Sequence, residues 1–223
     1  MIRDTRLALL VLAAIVTPLL SGCFGAAAIG VGAGALLIGD RRITETYLAD
    51  EGIEIRAANR ISESFGDKAH VNVISYNRAV LLTGEVADAA TKAAVEKIAA
   101  GVPNVRAISN ELEVAGISSL SVRSNDAFIT SKVKGRFLDS SQFPVNVIKV
   151  VTENGTVYLL GIVTKREADA AVEVARTTGG VKKVVRVFEL VSEDEARRLD
   201  NRPPVDAKPE AKPAEKAAEK PAS

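Results

Sequence analysis

The sequence predicts an α+β fold built twice: two small units in tandem, each a three-stranded mixed sheet with two helices on one face. Three observations predict it. Residues 71–86, VNVISYNRAVLLTGEV, align without a gap on residues 148–163, IKVVTENGTVYLLGIV. Both segments alternate apolar and polar residues on either side of a turn pair, Asn77-Arg78 and Asn154-Gly155, and Asn-Gly between alternating runs is a strong hairpin signal. Each hairpin is followed by a stretch with helical apolar spacing and then by another strand-like run.

The elements follow in the same order in both copies. A helix comes first, about 53–65 and 126–138. After the hairpin, Ala90, Ala94, Val95 and Ile98 mark a helix over 89–100, and Ala171, Val172 and Ala175 mark one over 167–177. Gly101 ends the first and Gly179-Gly180 the second. The closing strands are 105–114 and 184–191. Two helices laid on one face of such a sheet bury its apolar side, the minimal two-layer arrangement. Gly84 and Gly161 fall in mid-strand, where a side chain is normally wanted, so a bulge or the close approach of a helix is expected there rather than a ligand contact.

The ends have different compositions. Residues 1–22 have the parts of a secretory signal: Arg3 and Arg6, an apolar run over 7–20, and small residues before Cys23. The run is too short to cross a bilayer comfortably. Leu20-Ser21-Gly22-Cys23 resembles the lipobox of bacterial lipoproteins, which implies cleavage before Cys23 and diacylglycerol on its thiol. Two or three acyl chains anchor stably, each buried methylene contributing roughly 0.8 kcal/mol. Phe24 stands where the lipoprotein family places an Asp for inner-membrane retention, so the resemblance implies the periplasmic face of the outer membrane. Residues 23–45 read as a Gly/Ala-rich tether. Residues 193–223, mostly Ala, Lys, Pro and Glu, are expected to be a disordered tail.

Composition narrows the function classes. Without the signal the chain is formally neutral, so no global charge argues for nucleic acid. An acylated lone cysteine leaves no disulfide and no thiol nucleophile. The single histidine, His70, has no second histidine with which to form a zinc site and is expected in a loop before a strand. No metal, no cofactor and no catalytic constellation is expected: no carboxylate pairs recognisably with a His, Ser or metal partner, and no glycine-rich loop precedes Lys-Ser or Lys-Thr.

A unit of about 65 to 70 residues in this order carries L-x-G-x-V in its hairpin (Leu82 to Val86, Leu159 to Val163) and a closing G-V-x-x-V (Gly101 to Val105, Gly180 to Val184). It resembles the BON domain. The resemblance implies BON domains at 46–115 and 124–192 joined by a linker at 116–123. It also implies a non-catalytic outer-membrane lipoprotein that binds phospholipid and supports envelope integrity, with enrichment at the division site in some members. An adaptor docking on envelope assembly or peptidoglycan-remodelling machinery is the alternative.

The two copies differ in charge. Residues 50–114 carry seven cations and ten anions, residues 124–192 ten cations and seven anions. The second copy is therefore the one expected to face an anionic membrane, since each cation near such a surface contributes on the order of 1 kcal/mol. In its first helix Ile129, Val133 and Phe137 make a core stripe. Phe128 falls about 140° from that stripe's centre, flanked by Lys132 and Arg136, with Lys134 as a rim charge. An aromatic off the core face beside cations is the arrangement of an interfacial anchor. The bland alternative packs Phe128 on the linker or the other domain and leaves the cations solvated. The first copy offers Glu54, Arg56, Arg60 and Glu63 there, a mixed face. Lys182, Lys183 and Arg186 read as charges favourable to the preceding helix's dipole.

Overall fold

The computed structural model describes residues 40–201, all within one compact unit. The expected signal 1–22, Cys23, the tether up to residue 39 and the tail beyond residue 201 lie outside the described residues. The first domain comprises α1 (Thr44–Phe65), a 3-10 turn, β1 (His70–Tyr76), β2 (Ala79–Val86), α2 (Ala89–Ala100), β3 (Ala107–Asn110) and β4 (Glu113–Val114). The second comprises α3 (Leu120–Leu138), β5 (Ile148–Glu153), β6 (Thr156–Thr164), α4 (Lys165–Arg176) and β7 (Lys183–Val191), followed by a further helix, α5 (Glu193–Asp200). Two expectations change. The first eight residues of the expected tail, 193–200, are helical with Ala196 buried, and half of the expected linker is the first turn of α3, capped by Ser119.

In each domain the hairpin is antiparallel and the strand after the crossover helix joins it in parallel, leaving β2 and β6 central. The second sheet has the expected three strands. The first has four, because its closing strand is broken where Leu112 turns into the core, separating β3 from β4.

Both hairpin turns are left-handed. Asn154 and Gly155 take φ of 48° and 77°, as a type I′ turn requires, and Asn77 and Arg78 take 51° and 64° without a glycine. A buried aspartate on the preceding helix holds each turn. Asp50 accepts from the Asn77 and Arg78 amides at 2.8 and 2.7 Å, and Asp126 accepts from Asn154 and Gly155, both at 2.8 Å. The mid-strand glycines have a steric cause. A Cβ at Gly84 would lie 2.0 Å from the His70 carbonyl oxygen, and one at Gly161 2.4 Å from that of Val147. The close neighbour is the backbone entering the partner strand, not a helix.

Each sheet buries one face under its own helices. Val80, Leu82 and Val86 pack with Ile53, Ala57, Ile61 and Val95 in the first domain. Val157, Leu159 and Val163 pack with Ile129, Val133 and Phe137 in the second. The other faces meet each other: Ile74, Tyr76 and Leu81 form one cluster with Tyr158, Leu160 and Ile162. The result is four layers, helices, sheet, sheet and helices, with a third core between the domains.

A strap ahead of α1 locks the assembly. Arg41, with its side chain 1% exposed, makes a two-pronged contact with Glu167 at 2.7 and 2.8 Å. It also donates to Asp200 at 2.8 and 2.9 Å and to the Ile162 carbonyl at 2.9 Å. A residue preceding the first domain thus ties β6, α4 and α5 of the second. The Arg42 guanidinium lies 4.1 Å from the Tyr76 ring centroid and pairs with Asp40 and Asp50. Among the described residues, no helix is long and apolar enough to cross a membrane.

Candidate membrane-contact surface

Helix α3 divides its residues as the 3.6-residue period demands. Ile129, Val133 and Phe137 are buried, while Phe128 is 62% exposed. The exposed face is broader than its aromatic. Leu120 and Leu138, 74% and 72% exposed, lie on it about 80° to one side of Phe128. Lys132 and Arg136 flank the face on one side, Lys134 and Arg123 on the other. This apolar crest with cations on both margins is the layout of a helix lying in a membrane interface.

The cations are held differently. Lys132 stands over the Phe128 ring, 4.8 Å from its centroid, and donates to the Gly179 carbonyl. Arg136 uses Nη1 alone for the Val174 carbonyl, Thr177 Oγ1 and Thr178 Oγ1, each at 3.0 Å. Both therefore satisfy acceptors at the C-terminal end of α4, where positive charge is favourable. Among the described residues each keeps donors free: the Nε and Nη2 hydrogens of Arg136, and two of the three on Lys132. Lys134 is exposed and makes no hydrogen bond or ion pair with the described residues.

Two residues of the second basic cluster are engaged within the domain. Lys182 donates to Asn154 Oδ1 at 3.3 Å and Arg186 pairs with Asp169 at 3.1 Å, so they brace the second domain. In the first domain Arg56, Arg60 and Glu63 of the expected mixed face are exposed on α1, and Leu48 and Ile55, two turns apart, are exposed there as well. His70 begins β1 rather than lying in a loop, with Nδ1 2.9 Å from Glu85 Oε2. Among the described residues it belongs to a group able to offer metal ligands, with Glu85 and Glu153. Cys23 lies outside the described residues.

Residues 49–116 and 125–192 each match the BON domain. The chain belongs to the BON family. The BON protein is 38% identical over 178 residues to the outer membrane lipoprotein DolP of Haemophilus influenzae, covering 78% of this chain and 92% of that one. It is 36% identical over 157 residues to the 21 kDa hemolysin of Actinobacillus pleuropneumoniae, covering 68% and 79% of the two chains. Over 117 residues it is 32% identical to the osmotically-inducible protein Y of Escherichia coli, covering 51% and 58%. Two BON domains and a DolP relationship over most of both chains make this BON protein a dual-BON outer-membrane lipoprotein, and its family points to a non-catalytic role.

Proposed function

We propose that this BON protein is a non-catalytic phospholipid-binding lipoprotein that supports outer-membrane integrity. Acyl chains on Cys23 hold it at the periplasmic face of the membrane, and the exposed face of α3 contacts anionic lipid. The observation that carries the reading is Phe128, a large apolar side chain standing 62% exposed among Lys132, Arg136 and Lys134. The ring and the two leucines enter the acyl boundary while the cations meet phosphates. The contact is weak alone, and a lipidated Cys23 makes it effective by raising its local concentration.

Flotation of the Cys23→Ser chain with phosphatidylglycerol vesicles and with phosphatidylcholine vesicles tests this without help from the anchor. Burying a phenyl ring contributes roughly 1.5–3 kcal/mol, so Phe128→Glu should weaken binding to the anionic vesicles at least tenfold while leaving the melting temperature in place. Equal binding by the two chains would sink the lipid reading. A second reading, an adaptor for envelope assembly or peptidoglycan-remodelling machinery, is favoured by the exposed Leu48 and Ile55 on α1. Crosslinking that captures a stoichiometric protein partner through α1, with no vesicle affinity at α3, would select it.

A further inference from the structure

His70 and Glu85 are cross-strand partners on β1 and β2, and Asn72 and Thr83 form the neighbouring pair two residues along. Glu153, the last residue of β5, reaches across from the second domain. Its Oε2 accepts from Asn72 Nδ2 at 2.7 Å and from Thr83 Oγ1 at 3.2 Å. Glu85 Oε2 lies 2.9 Å from His70 Nδ1 and accepts from the Ser118 amide at 3.2 Å. One ligand atom from each of His70, Glu85 and Glu153 falls within 4.8 Å of the others.

These are not exposed acids. Glu85 and Glu153 are 3% and 8% exposed, and neither pairs with a lysine or arginine among the described residues. Two carboxylates withdrawn from water side by side are stabilised by a compensating cation, and one imidazole supplies at most half of the charge. Ser118, whose amide already touches Glu85, holds its Oγ away from solvent with no hydrogen-bond partner among the described residues. A cavity of about 380 Å³, lined by His70, Asn72 and Glu153 of this group and by Arg123 and Thr130 of α3, adjoins the cluster.

We propose that His70, Glu85 and Glu153 bind a divalent transition-metal ion of the zinc class, stapling the first domain to the second. One imidazole nitrogen and two carboxylate oxygens form a borderline ligand set that suits zinc better than magnesium. Two carboxylates neutralise a divalent charge. Three protein ligands beside a cavity leave the fourth position for water or a small anion. The imidazole binds through a nitrogen lone pair, so a metal would take the place of the direct contact between His70 Nδ1 and Glu85 Oε2. The proposal stands apart from the lipid-contact reading, because its ligands lie on β1, β2 and β5 whereas that reading rests on Phe128, Lys132, Arg136 and Lys134 of α3.

The test is direct because His70 is the sole histidine. The full chain, purified in detergent without a histidine tag and stripped with EDTA, is titrated with zinc chloride by calorimetry and by NMR of the imidazole. The expected result is one zinc per chain, displaced His70 ring signals and a higher melting temperature, with no response to magnesium at the same concentration. His70→Gln and Glu153→Gln, each checked by circular dichroism, should each weaken zinc binding by at least roughly tenfold. Unmoved His70 ring signals, or variants that fold and bind zinc as tightly as the parent, would overturn the proposal.

Discussion

Gly161 sits in the centre of β6 with the Val147 carbonyl oxygen where a methyl group would go. The oxygen is backbone of the short turn that leads directly into β5, where Ile148 pairs with Gly161, so an added Cβ pushes against the start of the hairpin. Gly161→Ala should cost roughly 1–3 kcal/mol, the usual penalty for overpacking a tight site, read as a lower urea midpoint with an unchanged slope. Gly84→Ala should cost more, because φ there is 113° as well. That both glycines answer a close approach was legible from their mid-strand position. The identity of the neighbour was not, because spacing along one strand says nothing about how a partner enters the sheet. The aspartates that hold the turns escaped the sequence reading for a related reason. Asp50 and Asp126 stand on helices far in sequence from Asn77 and Asn154, and a carboxylate buried on backbone amides looks in sequence like any helical surface charge.

At the scale of single elements, α3 shows what periodicity reveals and what it misses. The core stripe Ile129, Val133 and Phe137 was legible because a sheet-facing helix must repeat its apolar residues every three to four positions. Leu120 was not, since it fell within the expected linker, and the helix gains that turn from the Ser119 cap, whose hydroxyl accepts from the Val122 amide. Helix α1 begins nine residues before the apolar pattern does because its first turns bury Thr46 and Asp50 rather than aliphatic residues. Among the cations the structure separates two tasks. Arg136→Ala removes the donor shared by three acceptors at the end of α4 and should lower stability by about 1 kcal/mol. Lys134→Glu touches nothing described and should leave stability within about 0.5 kcal/mol while weakening binding to anionic vesicles, most clearly at low salt. Urea titration beside vesicle flotation distinguishes them. A strong stability loss in Lys134→Glu would contradict the assignment.

At the scale of the whole molecule, the strap residue Arg41 decides how much the two domains depend on each other. Burial works to raise the pKa of Glu167, but the Arg41 hydrogen bonds and charge, with the Thr164 amide, outweigh it and hold the carboxyl below its ordinary range. Folded Glu167 therefore takes up its proton less readily than unfolded Glu167, and its contribution, full above about pH 4.5, is lost as pH falls through the lowered folded value. Arg41→Ala leaves that carboxylate buried without its partner and should cost roughly 3–5 kcal/mol at neutral pH. With Arg41 gone, only the Thr164 hydrogen bonds still oppose burial, so Glu167 takes up a proton more readily and the stability deficit of the variant should narrow between pH 7 and pH 4. Hydrogen exchange should quicken over 193–200 as α5 loses Asp200's partner. A variant with the parent's stability and exchange would show that the strap is not a clamp.

The sequence by itself determined the repeated unit, the order of its elements and the helix face that carries Phe128, because these follow from local periodicity, turn chemistry and an ungapped internal alignment. The alternation read in both hairpins breaks at Leu81-Leu82 and Tyr158-Leu159-Leu160, continuous apolar residues that suit strands covered on both sides and that the sequence reading passed over. What covers the second side is not written in such a run, since any apolar surface would satisfy it. Only the tertiary structure decided that the two sheets cover each other, that Arg41 pins the second domain from a position ahead of the first, and that Glu153 reaches His70 and Glu85. Each of these is a contact between residues more than 60 positions apart. Such contacts are chosen by shape and charge complementarity between finished surfaces, a property that neither composition nor spacing records.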